Sequence, residues 1–230
     1  MNKISIIIPI LNEAEHIKKL LKHLNANSTP TNISEIIVVD GGSTDGSLNI
    51  VSEFEHIILI ESEKGRAKQM NLGSQYATGD ILYFLHADSY PPHQFDEYIL
   101  HEVAHGKEAG CFRLQFDSRH WWLRLASWLT QFSWRACRGG DQSQFITQSL
   151  FDDIGGFDED YIIYEDNILI NELYSRNQFV VINKKIKTSA RLYEKHGIWK
   201  LQFHFWSIYV KKWLGSSPDE LYAYYKRNIT

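Results

Sequence analysis

The sequence predicts an α/β fold, in which a mixed, mainly parallel sheet is flanked by helices and followed by a helical, aromatic C-terminal segment. Over the first 90 residues, short apolar runs alternate with helical patterns, and the connections between them are short. That alternation is typical of parallel strands with crossover helices. The apolar runs are continuous and rich in β-branched residues, as expected for strands buried on both faces.

The first half of the chain contains four predicted strands, at residues 4–8, 36–40, 56–62 and 81–85. The first helix follows strand 4–8. We expect Asn12 to cap it, with Glu15 as the return partner of a capping box. Its apolar face consists of Ile17, Leu20, Leu21 and Leu24. Further helices are predicted from about Ser47 and over residues 69–76.

The second half is less regular. Strands are predicted at 111–116 and 142–147, with one or two more within 179–189. Helices are predicted at 120–134, 165–176 and 198–214, and Gly155-Gly156 breaks the chain before Phe157.

Composition excludes several classes of protein. A net charge of −4 argues against a nucleic-acid binder with a broad basic surface. Cys111 and Cys137 have no zinc-site spacing and are expected to be free thiols. The apolar stretch before Asn12 is too short for a signal peptide, and no window is apolar enough to span a membrane. We therefore expect a cytoplasmic protein.

Polar residues follow the apolar runs at the predicted carboxyl ends of three strands, where open α/β sheets bind ligands. Asp40 precedes two glycines, and its carboxylate is suited to accept from a base N–H or a ribose hydroxyl. Asp88 is suited to hold Mg²⁺ or Mn²⁺ together with a diphosphate, with His86 as a second ligand or a phosphate contact. Taken singly, each of these residues is more simply explained as a turn cap or as the end of a strand.

A cationic loop containing Lys64 and Arg66 leads into the helix at 69–76. A helix start favours anions, and arginine can bind phosphate oxygens with two hydrogen bonds. The alternative is an ordinary solvated loop. The spacing is not that of a Walker A loop.

Two further polar clusters lie in the second half. Glu165 and Asp166 open a helix, where a carboxylate can act as a general base or simply complement the helix dipole. Asp141 and Gln142 follow two glycines and could hold sugar or acceptor hydroxyls, or form only a turn.

In order, these clusters resemble the family 2 glycosyltransferases with the GT-A fold. The motifs that carry the resemblance are Pro9-x-x-Asn12-Glu13, V-V-D-G-G-S-T-D-G-S (38–47), K-G-R-A (64–67) with Asn71 and Gly73, H-A-D (86–88), Gly155-Gly156-Phe157 and Glu165-Asp166. The match runs from residue 3 to about 192. In K-G-R-A-K-Q-M-N-L-G, F-L-H-A-D-S, G-D-Q and T-S-A-R-L-Y-E (188–194), the chain is similar to a bacterial subgroup associated with radical-SAM/selenodomain proteins.

The resemblance implies an inverting transfer of sugar from a nucleotide-diphosphate donor, preferably a UDP-sugar, to an acceptor hydroxyl. Donor-binding residues would be Pro9, Leu11, Glu13, Asp40, Lys64, Arg66, Asn71 and Ala87. Asp88 matches the last acid of the D-x-D motif and would hold Mg²⁺ or Mn²⁺, with His86 in place of the first acid. Asp166, beside Glu165, matches the catalytic base. Asp141, Gln142 and Arg191 would face the sugar or acceptor.

The resemblance also implies one domain over residues 1–230, made of a nucleotide-binding half (1–90), a catalytic half (91–192) and C-terminal helices (193–230). Two alternatives remain open at this point. One is a nucleotide-sugar-binding protein without catalysis. The other is a nucleotidyltransferase, although that class places a glycine-rich loop with a lysine directly after its first strand.

Two segments are crowded with aromatic residues, one around Trp121, Trp122, Trp128 and Trp134 and the other over 199–213. Apolar residues at helical spacing usually pack in a core. The alternatives are a peripheral membrane contact, a wall of the acceptor pocket or a homodimer face.

Overall fold

The computed structural model describes residues 2–229, which form an eight-stranded sheet between two layers of helices. The strands are β1 (Ile4–Ile10), β2 (Ile33–Asp40), β3 (Ile57–Glu61), β4 (Ile81–Phe84), β5 (Ser89–Tyr90), β6 (Ala109–Phe116), β7 (Gln144–Thr147) and β8 (Phe179–Thr188). The helices are α1 (Ala14–Asn27), α2 (Ser47–Val51), α3 (Arg66–Tyr76), α4 (Phe95–Ala104), α5 (Trp121–Leu129), α6 (Gln148–Ile154), α7 (Glu165–Ser175), α8 (Arg191–His196), α9 (Ile198–Trp213) and α10 (Pro218–Asn228).

The strand order is β3-β2-β1-β4-β7-β6-β8-β5. The four N-terminal strands β3, β2, β1 and β4 run parallel, and so does the pair β6 and β8. Strands β7 and β5 are antiparallel to their neighbours. The sheet is therefore mixed and mainly parallel, which confirms the predicted fold class.

Strand β1 is almost entirely apolar because both of its faces are covered by helices. Its even-numbered isoleucines pack with the buried leucines of α1 on one face of the sheet. Ile7 packs on the other face with Met70 of α3 and Leu169 of α7. Burying each such side chain stabilises the fold by about 1.5–3 kcal/mol relative to leaving it in water.

The predicted cap of α1 was wrong. Glu13 occupies the N-cap position without a side-chain hydrogen bond, while Asn12 has φ of 56° and accepts from Thr44 N at 2.8 Å. The free N–H groups of the helix start are bound from the loop after β2 instead. Asp45 accepts from Ala14 N and Ser47 from Glu13 N, each at 2.9 Å. A tertiary contact thus replaces the local cap.

Other boundaries also differ from the prediction. Helix α3 begins at Arg66 rather than at residue 69. The helix predicted over 120–134 ends at Leu129, because the next residue, Thr130, binds Leu114 N of β6 at 2.9 Å. Helices α4, α6 and α8 were not predicted, and α10 was predicted only as part of the C-terminal helices at 193–230.

The C-terminal helices form their own apolar cluster. Leu201 and Ile208 of α9 pack with Leu221 of α10 and with Tyr161 from the segment before α7. Among the described residues, no helix is both long and apolar enough to cross a membrane.

Candidate active site

The candidate site lies at the carboxyl ends of β1, β2 and β4. Gln69 of α3 joins the first two strand ends, since its amide nitrogen donates to Ile10 O at 2.8 Å and to Val39 O at 2.7 Å. A side chain at Gly41 would lie 3.0 Å from this amide, so the glycine leaves room for it. Sequence reasoning missed Gln69, because only the folded sheet shows which carbonyls it meets.

Asp40, at the end of β2, is only 1% exposed. One carboxylate oxygen, Oδ2, accepts from Gly42 N and Ser43 N, both at 2.9 Å. The other, Oδ1, is buried without a hydrogen-bond partner. Buried carboxylate oxygens are normally hydrogen-bonded. The turn therefore uses one oxygen and leaves the second without a partner.

Asp88 lies just beyond β4, close to Arg191 at the start of α8. The two are joined by a 3.3 Å contact from Arg191 Nε to Asp88 Oδ2. Arg191 also makes two hydrogen bonds to Glu13, at 2.6 and 3.0 Å. Residues 13, 88 and 191, which are far apart in the sequence, thus form one acid–arginine–acid group.

His86 and Asp141 lie between this group and a second charged group at the start of α7, which is described below. His86 Nδ1 lies 3.8 Å from Asp141 Oδ1. Burial, followed by the positive charges of Arg66 and Arg191, lowers the pKa of His86 to about 3, so the ring is neutral at physiological pH. Partial desolvation and the nearby Asp88 carboxylate raise the pKa of Asp141.

Glu165 and Asp166, at the start of α7, are both buried. Arg66 Nη1 lies 3.0 Å from Glu165 Oε1 and 3.7 Å from Asp166 Oδ2. The preceding residue, Tyr164, has φ of 75°, an unusual conformation for a bulky residue. Backbone strain of this kind clusters at functional sites.

Asp166 has a strongly perturbed carboxyl. Desolvation and the charge of Glu165 raise its pKa to about 7, although Arg66 opposes them. Its Oδ2 atom lies where a side chain at residue 140 would be, because a Cβ at Gly140 would lie 1.9 Å from it. The same Cβ would lie 3.0 Å from His86 Cε1. Gly140 therefore lets His86 and Asp166 approach each other.

The other predicted site residues are placed less centrally. Asn71 makes two hydrogen bonds with the backbone of Phe157, both at 2.9 Å, so its amide holds the 155–159 loop. Gln142 is buried, and in the amide orientation that satisfies both of its ends it bonds Cys137 O and Arg138. Ala87 belongs to the core, Pro9 and Leu11 are half-buried, and Lys64 is exposed.

The donor atoms fit a hard divalent cation only in part. Within residues 2–229, no three His, Cys, Asp or Glu side chains are grouped closely enough to enclose a metal. Asp141 nevertheless lies 3.8 Å from the neutral His86, and its carboxyl interacts with that of Asp88. Mg²⁺ usually takes one or two protein carboxylates and completes its shell with substrate phosphates and water. Asp88 and Asp141 could supply the one or two carboxylates of that arrangement, and the rest of the shell would come from the substrate and water.

The fold is that of the GT-A glycosyltransferases. Staphylococcus aureus TarS (residues 1–349, complex with UDP) superposes with a TM-score of 0.66 at 19% identity, covering 82% of this chain and 60% of that TarS fragment. The mannosyltransferase PcManGT from Pyrobaculum calidifontis, in complex with GDP-Man and Mn²⁺, superposes with a TM-score of 0.70 at 18% identity, covering 99% of this chain and 68% of PcManGT.

The chain belongs to glycosyl transferase family 2, whose characteristic sequence pattern matches residues 5–158. The glycosyltransferase AglE of Haloferax volcanii is 35% identical over 100 residues, which are 41% of this chain and 33% of AglE. The probable glycosyltransferase YdaM of Bacillus subtilis is 27% identical over 198 residues, 75% of this chain and 47% of YdaM. The chain thus spans between a third and a half of the length of these relatives.

Proposed function

We propose that this protein is an inverting glycosyltransferase that moves a sugar from a nucleotide-diphosphate donor to an acceptor hydroxyl. The observation that carries the proposal is the position of Asp166. Its buried carboxylate shares one rim with Asp88, and the two are linked through Gly140, His86 and Asp141. Membership of family 2 supports the same reaction class.

The reaction needs a base opposite the leaving group. In this proposal Asp166 accepts the proton of the acceptor hydroxyl as its oxygen bonds to the anomeric carbon. The bond from that carbon to the diphosphate breaks at the same time, and the diphosphate leaves with the electron pair. A carboxylate whose pKa is raised toward neutral pH is a stronger base than an ordinary aspartate.

The donor would bind along the strand ends. In this proposal the otherwise unpartnered Oδ1 of Asp40 accepts an N–H of the nucleotide base. We propose UDP as the nucleotide, since TarS, a structural relative, forms complexes with UDP and UDP-GlcNAc, and GDP, which PcManGT binds as GDP-Man, is the alternative. When bound by Asp88, with His86 or Asp141, a Mg²⁺ or Mn²⁺ ion would supply Lewis-acid stabilisation of the leaving diphosphate. Arg191 and Arg66 add positive charge at either end of this rim.

Isothermal titration with UDP and GDP, each in Mn²⁺, Mg²⁺ or EDTA, tests the donor site. We expect UDP to bind more tightly than GDP, and more tightly with a divalent ion than with EDTA. Slow hydrolysis of UDP-sugars would then distinguish an enzyme from a binding protein that lacks catalysis. If neither nucleotide bound under any condition, the proposed function would be wrong.

Replacing Gly140 with alanine is expected to lower kcat by about 100-fold, because the new Cβ would displace the Asp166 carboxylate. Gly139→Ala is the matched control, since a Cβ there meets nothing within 4 Å. Steady-state kinetics and thermal melts of both variants would check this. Equal kcat values for the two would contradict the position assigned to Asp166.

The raised pKa of Asp166 predicts a pH dependence of catalysis. A general base must be ionised, so kcat/KM should fall about tenfold for each pH unit below about 7. A pH–rate profile in a series of buffers measures this directly. A profile that stays flat down to about pH 5 would contradict the assignment.

The titration of Asp166 should also affect folding stability, but in the opposite direction: as the pH rises toward 7, kcat/KM increases while the free energy of unfolding decreases. A raised acid pKa means that the folded chain binds the proton more tightly than the unfolded chain. This stabilisation is complete below the ordinary value of 3.8 and is lost as the pH rises to about 7. Asp166→Asn removes it, so urea unfolding should show the variant gaining on the wild type as pH increases through that window.

A further inference from the structure

All seven tryptophans lie in two segments, residues 118–140 and 195–217. These segments contain none of the 28 acidic residues and eight of the 24 lysines and arginines. The rest of the chain is correspondingly acidic. Aromatic and basic residues are therefore concentrated in one part of a protein whose net charge is −4.

Helix α5 carries part of this concentration on its solvent face. Trp121, Leu125 and Trp128 recur at helical spacing, and the two tryptophans are 59% and 52% exposed. The opposite face is the buried one, where Leu123 packs against β6. The exposed rings thus lie on the face of α5 that is turned away from the sheet.

Helix α9 repeats the arrangement over a greater length. Its outer stripe is 50–84% exposed and consists of Trp199, Phe203, Trp206, Val210 and Trp213. Its inner stripe, with Leu201 and Ile208, is already buried in the C-terminal cluster. Such a helix has two apolar faces, and the outer one remains at least half exposed within the described residues.

The two stripes form one continuous surface. The ring of Trp199 lies 5.8 Å from that of Trp121 and 5.3 Å from that of Trp122. Trp122 also meets Trp206, with 5.9 Å between ring centroids. We call the exposed stripes of α5 and α9 together the tryptophan surface.

Beside the α5 stripe lies a cavity of about 630 Å³. Arg113, Arg119, Arg124 and Lys185 line it, together with Trp121 and Trp128, and no acidic residue does so. The Nε atom of Arg113 is buried without a hydrogen-bond partner. The cavity therefore places basic side chains, and one N–H group without a hydrogen-bond partner, next to exposed tryptophan rings.

We propose that the tryptophan surface docks the protein on the surface of an anionic phospholipid membrane. Tryptophan rings favour the boundary between headgroups and acyl chains, and a basic rim is attracted to lipid phosphates. The cationic cavity beside α5 suits a phosphate headgroup whose acyl chains lie along the rings. The proposal goes beyond sugar transfer and does not depend on it.

A second copy of the chain fits this surface less well. A two-fold interface brings the same patch of both subunits together. Here that would place basic segments without a single acid against each other, which is unfavourable. An anionic membrane has the complementary charge.

The test uses the purified full chain with vesicles of phosphatidylcholine alone and of phosphatidylcholine mixed equally with phosphatidylglycerol. Because five of the seven tryptophans lie on the tryptophan surface, intrinsic fluorescence reports mainly on that surface. We expect flotation with the anionic vesicles and a blue shift of emission, both weakened by salt. Absence of flotation and of a shift with anionic vesicles would overturn the proposal.

Two pairs of substitutions separate the apolar and charged contributions. Phe203→Gln with Trp213→Gln should weaken vesicle binding at least about tenfold. Arg124→Gln with Lys200→Gln should weaken it by a similar factor, but only on anionic vesicles. The four side chains are exposed, so the folded state should be retained.

Matched controls lie outside the surface. Tyr76→Gln removes an exposed aromatic residue from α3, and Lys107→Gln removes an exposed cation after α4. Both should bind vesicles like the wild type. If the controls weakened binding as much as the surface variants, the proposed location would be wrong. The alternative is that the tryptophan surface forms a dimer. Sedimentation velocity would then show a dimer that the double variant Phe203→Gln with Trp213→Gln dissociates, and the wild type would not bind vesicles.

Discussion

Asp166→Asn is expected to lower kcat for sugar transfer by 10²–10⁴-fold, while donor affinity stays within about twofold of the wild type. The asparagine keeps the shape of the side chain but cannot take the proton of the acceptor hydroxyl. It also leaves Arg66 paired with Glu165, because their 3.0 Å contact does not involve residue 166. Transfer assays at saturating donor, together with isothermal titration of the nucleotide, measure both quantities.

Glu172→Gln is the matched control for this variant. Glu172 lies on the same helix as Asp166 but faces away from the rim and pairs with Arg176 at 2.7 Å. Its kcat should equal that of the wild type. If Asp166→Asn lost donor affinity but kept its turnover at saturation, Asp166 would be a binding residue and not the base.

Asp88→Ala is expected to remove the metal dependence of donor binding. The affinity for UDP with Mn²⁺ should fall at least about tenfold, to the value measured in EDTA, because no other carboxylate directly follows β4 at this rim. Arg191 keeps its two hydrogen bonds to Glu13, so the α8 start should remain in place. Isothermal titration with each ion and with EDTA gives the comparison.

Asp80→Asn is the control for Asp88→Ala. Asp80 precedes β4 at the opposite end of the strand, where its carboxylate accepts from Lys3 N at 3.0 Å. It should bind UDP like the wild type in every condition. An unchanged Mn²⁺ titration for Asp88→Ala would show that the ion, if one is used, is held elsewhere.

The sheet and its rim were predictable because their signals are local. Continuous β-branched runs mark β1 and β2, and the polar residues that follow them necessarily meet at one edge of a parallel sheet. The position of Asp40 follows directly from this. The sequence could not show how the two carboxylate oxygens of Asp40 are bonded. One accepts hydrogen bonds from the turn, and the other has no partner.

Contacts between distant segments were not predictable. Arg66 and Glu165 are 99 residues apart, and nothing near either residue identifies the other. Asn71 was expected to bind the donor, but in the fold its amide holds the Phe157 backbone. Asn12 resembled a helix cap by its spacing alone, and a loop brought in by the next strand took that role.

The loop that caps α1 has a consequence for ligand binding. Ser43, Asp45 and Ser47 bind the backbone N–H groups of residues 12, 13 and 14, so the loops after β1 and β2 form one unit. A nucleoside placed between them would meet walls that are already preorganised. Little entropy would then be lost in ordering the pocket, so that part of the cost of binding would be small.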